Sequence, residues 1–570
     1  MKKYNIAITF ALLLIGILSA HATETRPNIV VILSDDAGYT DLGSFGGEID
    51  TPNLDNLASQ GLKLSHFYSN ARCSPTRASL LSGVDAAHVG FGGGVVGDWV
   101  RELPFPAHRA RLKYEQPIIP ELLSEAGYHT MMAGKWHLGG SYIKDHQETM
   151  RAQWEATHPE QMKLTDEEMQ QDYLALPPQR GFDESFVFHA AQGNLFFRPE
   201  EPQPYYFNNE KAQLSYDRKY DMTCYAETDF GKQHYTACDG KSGNAFYATD
   251  GITDEAISMI DAASKKASPF FMYVAYRAPH KPLQAPTPLV QKYLKRYANI
   301  QKVADERHAH LVELGMFPEK APVRQSGDTW TSLPKEKIDA VRMKAAVHAA
   351  MMEKLDENVG RIIAQLKASG ELENTLLVYL SDNGAASHIG DLMNQPYTGV
   401  KALLWEGGAR THAIIHWPKV VKAGQVTDDV VWVGDFLPTF LDVAEAEFPS
   451  QFRGDTPRQP DGRSIVPLLH GSSMPPPEAL FFNDKGQQSV LYKGRWKLLI
   501  EPGWYLQTLA KPGIAIELYD LESDPGEVNN LASEKPKLVA QLVELAEAWK
   551  KENQIVDYKH IIKLKPQDPY

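Results

Sequence analysis

Asn28-Ile29-Val30-Val31-Ile32-Leu33, running directly into Ser34-Asp35-Asp36, is an unbroken apolar stretch that ends in acid. A strand with one wet face alternates apolar and polar residues. This one does not, so it reads as a strand buried on both faces, as in a parallel sheet covered by helices. Three more stretches repeat the design. Thr375-Leu376-Leu377-Val378-Tyr379-Leu380 leads to Ser381-Asp382-Asn383, Thr130-Met131-Met132-Ala133 to Gly134-Lys135-Trp136-His137, and Phe270-Phe271-Met272-Tyr273-Val274-Ala275 to Pro279-His280. Amphipathic helical segments lie between them. Residues 351–369 place Leu355, Val359, Ile362, Ile363 and Leu366 on one stripe, with Gly370 as the stop. Open parallel sheets hold ligands at the carboxyl ends of their strands. The expectation is an α/β fold with a large, mostly parallel sheet between helices and four polar clusters in one crevice.

Outside this core the pattern changes twice. Residues 139–247 are polar and loop-rich, with Phe196, Phe197, Tyr205, Tyr206 and Phe207 clustered. These aromatics either stack on a ligand or pad the core. From about Glu478, Ala479-Leu480-Phe481-Phe482, Ser489-Val490-Leu491-Tyr492 and Trp496-Lys497-Leu498-Leu499-Ile500 read as short antiparallel strands turning at Lys493-Gly494, followed by a helix from about Pro536 to Lys551. The organisation expected is residues 23–477 as the main domain and 478–570 as a small subdomain with an antiparallel sheet and a helix.

The N-terminus reads as an address. Lys2 and Lys3 precede an apolar run from Ile6 to Leu18, and Ala20-His21-Ala22 is a small-x-small cleavage site. Residues 1–22 thus look like a secretory signal peptide, and the mature chain is expected to be exported, periplasmic or secreted. No second apolar run long enough to span a membrane follows. In an oxidising compartment Cys224 and Cys238, close in sequence, are a plausible disulfide, which leaves Cys73 as the odd thiol. The net charge of -14 argues against a nucleic acid partner.

Asp35-Asp36 and Asp382-Asn383 offer oxygen ligands without a soft donor, a set that suits a hard cation, calcium more readily than magnesium. Alone, such pairs are usually turns or helix caps; their repetition after equivalent apolar runs favours a metal. Cys73-Ser74-Pro75-Thr76-Arg77 reads as a helix start, with Ser74 or Cys73 near the N-cap and Pro75 in the first turn. Arg77 lies one turn after Cys73, so a nucleophilic group, a fixed cation and a helix N-terminus can address one anion.

Continued into Ala78-Ser79-Leu80-Leu81-Ser82-Gly83, this stretch resembles the signature of the formylglycine-dependent (type I) sulfatases, in the alkaline phosphatase superfamily. The resemblance covers nearly the whole mature chain. It implies that Cys73 is oxidised to Cα-formylglycine by a formylglycine-generating or anaerobic sulfatase-maturating enzyme. It further implies a calcium ion held by Asp35, Asp36, Asp382 and Asn383 together with residue 73. Gly127 to His137 resembles the second family signature, in which Lys135 contacts sulfate and His137 orients the formylglycine hydroxyl. His280, in Ala278-Pro279-His280-Lys281-Pro282, matches the leaving-group acid, and Lys401 the second sulfate-binding lysine. Asp41-Leu42-Gly43-Ser44-Phe45-Gly46-Gly47-Glu48-Ile49 and the helical insertion at 293–318 are most similar to bacterial arylsulfatases. The Asp382-to-Lys401 spacing and Trp405-Glu406-Gly407-Gly408-Ala409-Arg410 look more like sulfatases acting on glycans. The implied activity is hydrolysis of an aryl sulfate or a sulfated saccharide. A phosphonate or phosphate monoester hydrolase of the same superfamily, and a non-catalytic binder of sulfated glycans, are the alternatives.

Overall fold

Helices cover a mixed, mostly parallel sheet on both faces in the computed structural model, which describes residues 26–93, 105–140, 166–189, 195–199, 205–225, 243–324, 334–386, 392–503 and 515–563. The expected signal peptide and Cys238 lie outside these residues. The principal strands are β1 (Asn28–Asp35), β2 (Leu62–Tyr68), β3 (His129–Lys135), β4 (Glu184–Phe188), β5 (Phe270–Pro279), β6 (Thr375–Ser381) and β7 (Arg410–His416). Their order is β2-β7-β6-β1-β5-β3-β4. From β6 to β4 all neighbours are parallel, while β7 runs antiparallel to both β6 and β2.

The missing alternation in β1 now has its physical cause. Val30 and Ile32 enter one core cluster, with Ile252, Met351 and Leu355 from covering helices. Ile29, Val31 and Leu33 enter the other, with Leu80, Leu81, Leu122 and Phe440. Side chains alternate between faces, and both faces are dry. The helices over the first face are Ala248–Ala263 and Lys335–Ala368. The second begins well before residue 351, because its first turns are polar and only half buried and its middle is small-residue rich, so no apolar stripe marks the start. The expected insertion forms the helices Thr287–Arg296 and Ile300–Glu313.

The C-terminal strands β8 (Ala479–Asp484), β9 (Gln487–Tyr492), β10 (Trp496–Ile500) and β11 (Ile516–Asp520) make an antiparallel sheet in that order. One face carries Val490, Leu498 and Leu518 against Leu542 and Ala546 of the helix Pro536–Glu552. The other face gives Leu491, Leu499 and Tyr519 to the main core. Fully buried Lys497 crosses the same boundary to Glu406 at 2.6 Å. The subdomain is therefore fused to the sheet that carries the polar clusters. The aromatic cluster resolves toward packing: Phe196, Phe197 and Tyr205 are core, with Tyr205 stacked on Phe186, whereas Phe207 is exposed.

Candidate active site

The four polar clusters meet, as strand order requires. β6, β1, β5 and β3 are consecutive parallel neighbours, so their carboxyl ends deliver Asp382-Asn383, Asp35-Asp36, His280 and Lys135 to one edge of the sheet. The backbone bends sharply there. Asp36 and His137 take φ of 72° and 58°, and Ala71 and Ala402, flanking the remaining site segments, take 55° and 70°. Non-glycine residues in this region carry strain and concentrate at functional sites.

The helix Cys73–Ser82 points its first turn into the crevice, and all of its residues are buried. Its N-cap is Arg72, one residue earlier than expected, because Arg72 is the last extended residue and its carbonyl accepts from Thr76 N at 3.0 Å. Cys73 is then the first helical residue. Its Sγ donates to Asp35 Oδ1 at 3.2 Å, and Lys401 Nζ approaches the sulfur at 2.9 Å. Arg77, one turn on, is fully buried. Its Nε and Nη2 donate to Asp382 Oδ2 at 3.2 and 2.9 Å, and its Nη1 to the Lys135 carbonyl at 3.1 Å. Lys135 Nζ donates to Asp35 Oδ2 and Lys401 Nζ to Asp36 Oδ1, both at 2.5 Å. Asp36 N donates to Asp382 Oδ1 at 3.2 Å.

Three carboxylates (Asp35, Asp36, Asp382) thus face three cations (Arg77, Lys135, Lys401), all buried but Lys401, which is partly exposed. Burial alone would raise Asp35, but Lys135, His280, Arg77 and Lys401 together hold it well below the usual carboxylate range. At Asp36 burial is likewise outweighed, chiefly by Lys401. Asp382 goes the other way: burial, reinforced by the charge on Asp35, pushes it up to about 7. Burial and then Asp35 and Asp382 push the Cys73 thiol up to about 12. An unmodified Cys73 is therefore protonated at neutral pH and a poor nucleophile.

Both histidines are held neutral. Burial and Lys401 lower His280 to about 4, and burial with Lys135 and Arg77 lowers His137 well below its ordinary value. His280 Nδ1 lies 2.6 Å from the Lys281 carbonyl. In the neutral ring that contact requires the proton on Nδ1 and leaves Nε2 unprotonated, 3.8 Å from Asp36 Oδ2. His137 is half buried, and its Nδ1 has no hydrogen-bond partner.

The donor set suits a hard cation. Ligand atoms of Asp35, Asp36, Cys73 and His280 all lie within 4.8 Å of one another. Asn383 is buried beside them, its Nδ2 donating to Asp36 Oδ1 at 2.8 Å while its Oδ1 has no partner. A buried amide oxygen without a donor, beside the carboxylates of Asp35 and Asp36, is the environment a divalent oxygen-seeking ion completes.

Sequence reasoning missed the parts that hold this arrangement. Tyr273, within β5, is buried against Arg77 and is pushed up to about 12 by its burial. Asn394 staples the loop between Asn383 and Lys401: its Oδ1 accepts from Ala385 N at 2.9 Å and its Nδ2 donates to the Gly399 carbonyl at 3.1 Å. A Cβ on Gly384 would lie 1.8 Å from the Gly407 carbonyl oxygen, so the Asp382-Asn383-Gly384 and Glu406-Gly407-Gly408 segments touch backbone to backbone. That contact explains why glycine follows Asp382-Asn383. Tyr273, Gly384 and Gly407 lie in or beside the motifs, but the partners they meet are distant in sequence, so no local pattern announced the contacts.

The sulfatase family profile matches residues 27–446, and the profile described as N-sulphoglucosamine sulphohydrolase, C-terminal, matches residues 400–552. An uncharacterised sulfatase of Schizosaccharomyces pombe is 30% identical over 594 residues, spanning 94% of this chain and 95% of the relative. An N-acetylgalactosamine-6-sulfatase of Mus musculus is 30% identical over 472 residues, spanning 81% of this chain and 70% of the relative. Among solved structures, a protein crystallised with a neocarrahexaose is 23% identical, with a TM-score of 0.62 over 93% of this chain and 94% of that one. At that identity the likeness concerns the fold.

Proposed function

This chain belongs to the sulfatase family, a family of sulfuric ester hydrolases, and from that premise we propose that it hydrolyses a sulfated saccharide with a nucleophile derived from Cys73 and a calcium ion. The observation that carries the proposal is the single buried crevice in which residue 73 meets three cations and three carboxylates. Aryl sulfates would serve as surrogate substrates. Support for a saccharide comes from the 30%-identical N-acetylgalactosamine-6-sulfatase and from the matching C-terminal profile.

The charges suit this chemistry. With Asp382 deprotonated, Asp35, Asp36 and Asp382 cancel Arg77, Lys135 and Lys401. A divalent cation is then balanced by a singly charged sulfate ester and a deprotonated nucleophile, so the three would be taken up together. Asp35, Asp36, Asp382 and Asn383, with residue 73, would hold calcium, which supplies Lewis-acid neutralisation of the sulfate oxygens. In its hydrated formylglycine form residue 73 offers one hydroxyl to attack sulfur and a second to release sulfate, which a thiol cannot do.

The remaining work falls to this chain's own side chains. Arg77, fixed by two bonds to one oxygen of Asp382, presents a cation that cannot swing away. Lys135 and Lys401, which donate to Asp35 and Asp36, would be free to face the sulfate oxygens where those carboxylates hold a cation instead. All three then face charge that grows in the transition state, the largest expected contribution to rate. His137, beside Lys135, would orient the nucleophilic hydroxyl. His280 presents Nε2 to the site and, once protonated there, would donate to the departing sugar oxygen.

We further propose that residues 1–22 are a cleaved signal peptide, that the protein is exported, that Cys224 and Cys238 pair, and that a maturating enzyme converts Cys73. No helix among the described residues is long and apolar enough to cross a membrane. The test of function compares specificity constants for nitrophenyl sulfate, nitrophenyl phosphate and a phenyl phosphonate. A clear preference for sulfate is expected; preference for a phosphorus ester would assign the site to phosphonate or phosphate hydrolysis. No turnover of any ester with Cys73 converted would favour the glycan-binding alternative.

A further inference from the structure

The turn between β8 and β9 of the C-terminal sheet reaches the segments that flank Cys73 and Lys401. Asp484 and Gln487 are paired across it, and Lys485 and Gly486 form the turn with φ of 45° and 85°. Two successive left-handed residues make a type I′ hairpin, whose twist matches its strands and whose geometry is stiff. Asp484 and Gln487 are both fully buried, although acids and amides at hairpin tips usually face water.

Each holds one wall of the site. Asp484 makes a bidentate pair with Arg72: Nε to Oδ1 at 2.6 Å and Nη2 to Oδ2 at 2.9 Å. Arg72 is the N-cap of the catalytic helix, the residue immediately before Cys73. Gln487 Nε2 donates to the carbonyl of Ala402 at 3.0 Å, the residue immediately after Lys401, and its Oε1 is fixed by Gly503 N at 2.7 Å. Between the two walls Ala402 N donates to the Ala71 carbonyl at 2.7 Å, and both of those alanines have positive φ. Strained positions of this kind persist only when surrounding contacts over-determine them.

We propose that the Asp484–Gln487 hairpin tip is a positioning element of the active site, setting the distance between residue 73 and Lys401. That distance is 2.9 Å from sulfur to ammonium, between residues more than 300 positions apart in the chain. The inference rests on the sulfatase reading of Cys73 and Lys401 given above. Neither Asp484 nor Gln487 touches the reacting atoms; each acts through a neighbour. A small displacement of a nucleophile from its electrostatic partner is costly, on the order of 10²-fold for about 1 Å.

The test is Asp484→Asn and, independently, Gln487→Leu, assayed with nitrophenyl sulfate and normalised to the fraction of Cys73 converted, measured by peptide mass spectrometry. Asp484→Asn should lower kcat per converted site by ~10–100-fold, with KM within about three-fold, because the lost term is realised in the transition state. Arg72→Ala combined with Asp484→Ala should cost less than the sum of the two single losses, since the two residues share one pair. Gln487→Leu should also lower kcat, and it carries the test if Asp484→Asn does not accumulate as folded protein. Folded variants with a lowered melting temperature but unchanged kcat per converted site would overturn the proposal and leave the pair merely structural. Failure of the wild type to release sulfate would instead sink the reading on which it rests.

Discussion

Arg77→Lys isolates what the guanidinium does beyond carrying charge. Arg77 is fully buried, and three bonds fix it: two to Asp382 Oδ2, at 3.2 and 2.9 Å, and one to the Lys135 carbonyl at 3.1 Å. A lysine ammonium at the end of a thinner stem can reach Asp382 once but cannot also span to the Lys135 carbonyl. The lost charge-assisted bond is worth about 1.5–3 kcal/mol, and a stability loss of that order follows. The kinetic loss should be comparable to removing one preorganised donor, ~10²–10³-fold in kcat. Calorimetry and steady-state turnover of nitrophenyl sulfate, normalised to Cys73 conversion, measure the two separately. If Arg77→Lys keeps kcat per converted site within about three-fold, a generic positive charge suffices there and the argument from fixed geometry is wrong.

Other outcomes follow from the same geometry. His280→Ala should cost little for nitrophenyl sulfate, whose leaving group departs without a proton, but ~10²–10⁴-fold for a sulfated sugar; equal losses would mean the ring binds sulfate. Stripping divalent ions with a chelator should lower both activity and melting temperature, and calcium should restore them better than magnesium. Unchanged activity after exhaustive chelation would remove the metal from the account. His412 is buried and is lowered by that burial to about 4, while its ring stacks on Tyr379. The unfolded chain takes up a proton there below its ordinary value while the native chain does not. Its contribution therefore costs stability as pH falls from about 6.5 to 4, up to about 3 kcal/mol. His412→Phe should flatten that part of the acid-stability curve, read as melting temperature against pH; an unaltered slope would show that the ring is protonated when folded.

Much of this arrangement was legible because the sheet is dry on both sides. Val30 and Ile32 need one apolar face and Ile29 and Val31 the other, so the strand could only be written without alternation. Parallel order then forces the ends of β6, β1, β5 and β3 together, and Asp35, Lys135, His280 and Asp382 meet there. Less legible were contacts that depend on the path of the chain. Nothing near Arg72 in sequence announces Asp484, and nothing near Asn383 announces Asn394, since a hydrogen bond across a fold leaves no periodic trace. The aromatic residues around Phe196 were ambiguous for another reason: stacking on a ligand and packing in a core demand the same side chains, and burial alone distinguishes them. The start of the helix Lys335–Ala368 was hidden because a half-exposed helical turn without apolar spacing resembles a loop.

The central claim, that residue 73 works as a converted cysteine, can be tested in one series. Preparations made with differing access to a maturation system are analysed by mass spectrometry over the Cys73 peptide and assayed for sulfate release. The buried thiol, pushed up to about 12, is inert, so turnover per total protein should rise linearly with the converted fraction and pass through zero. Substantial turnover from protein carrying only the thiol would contradict the account.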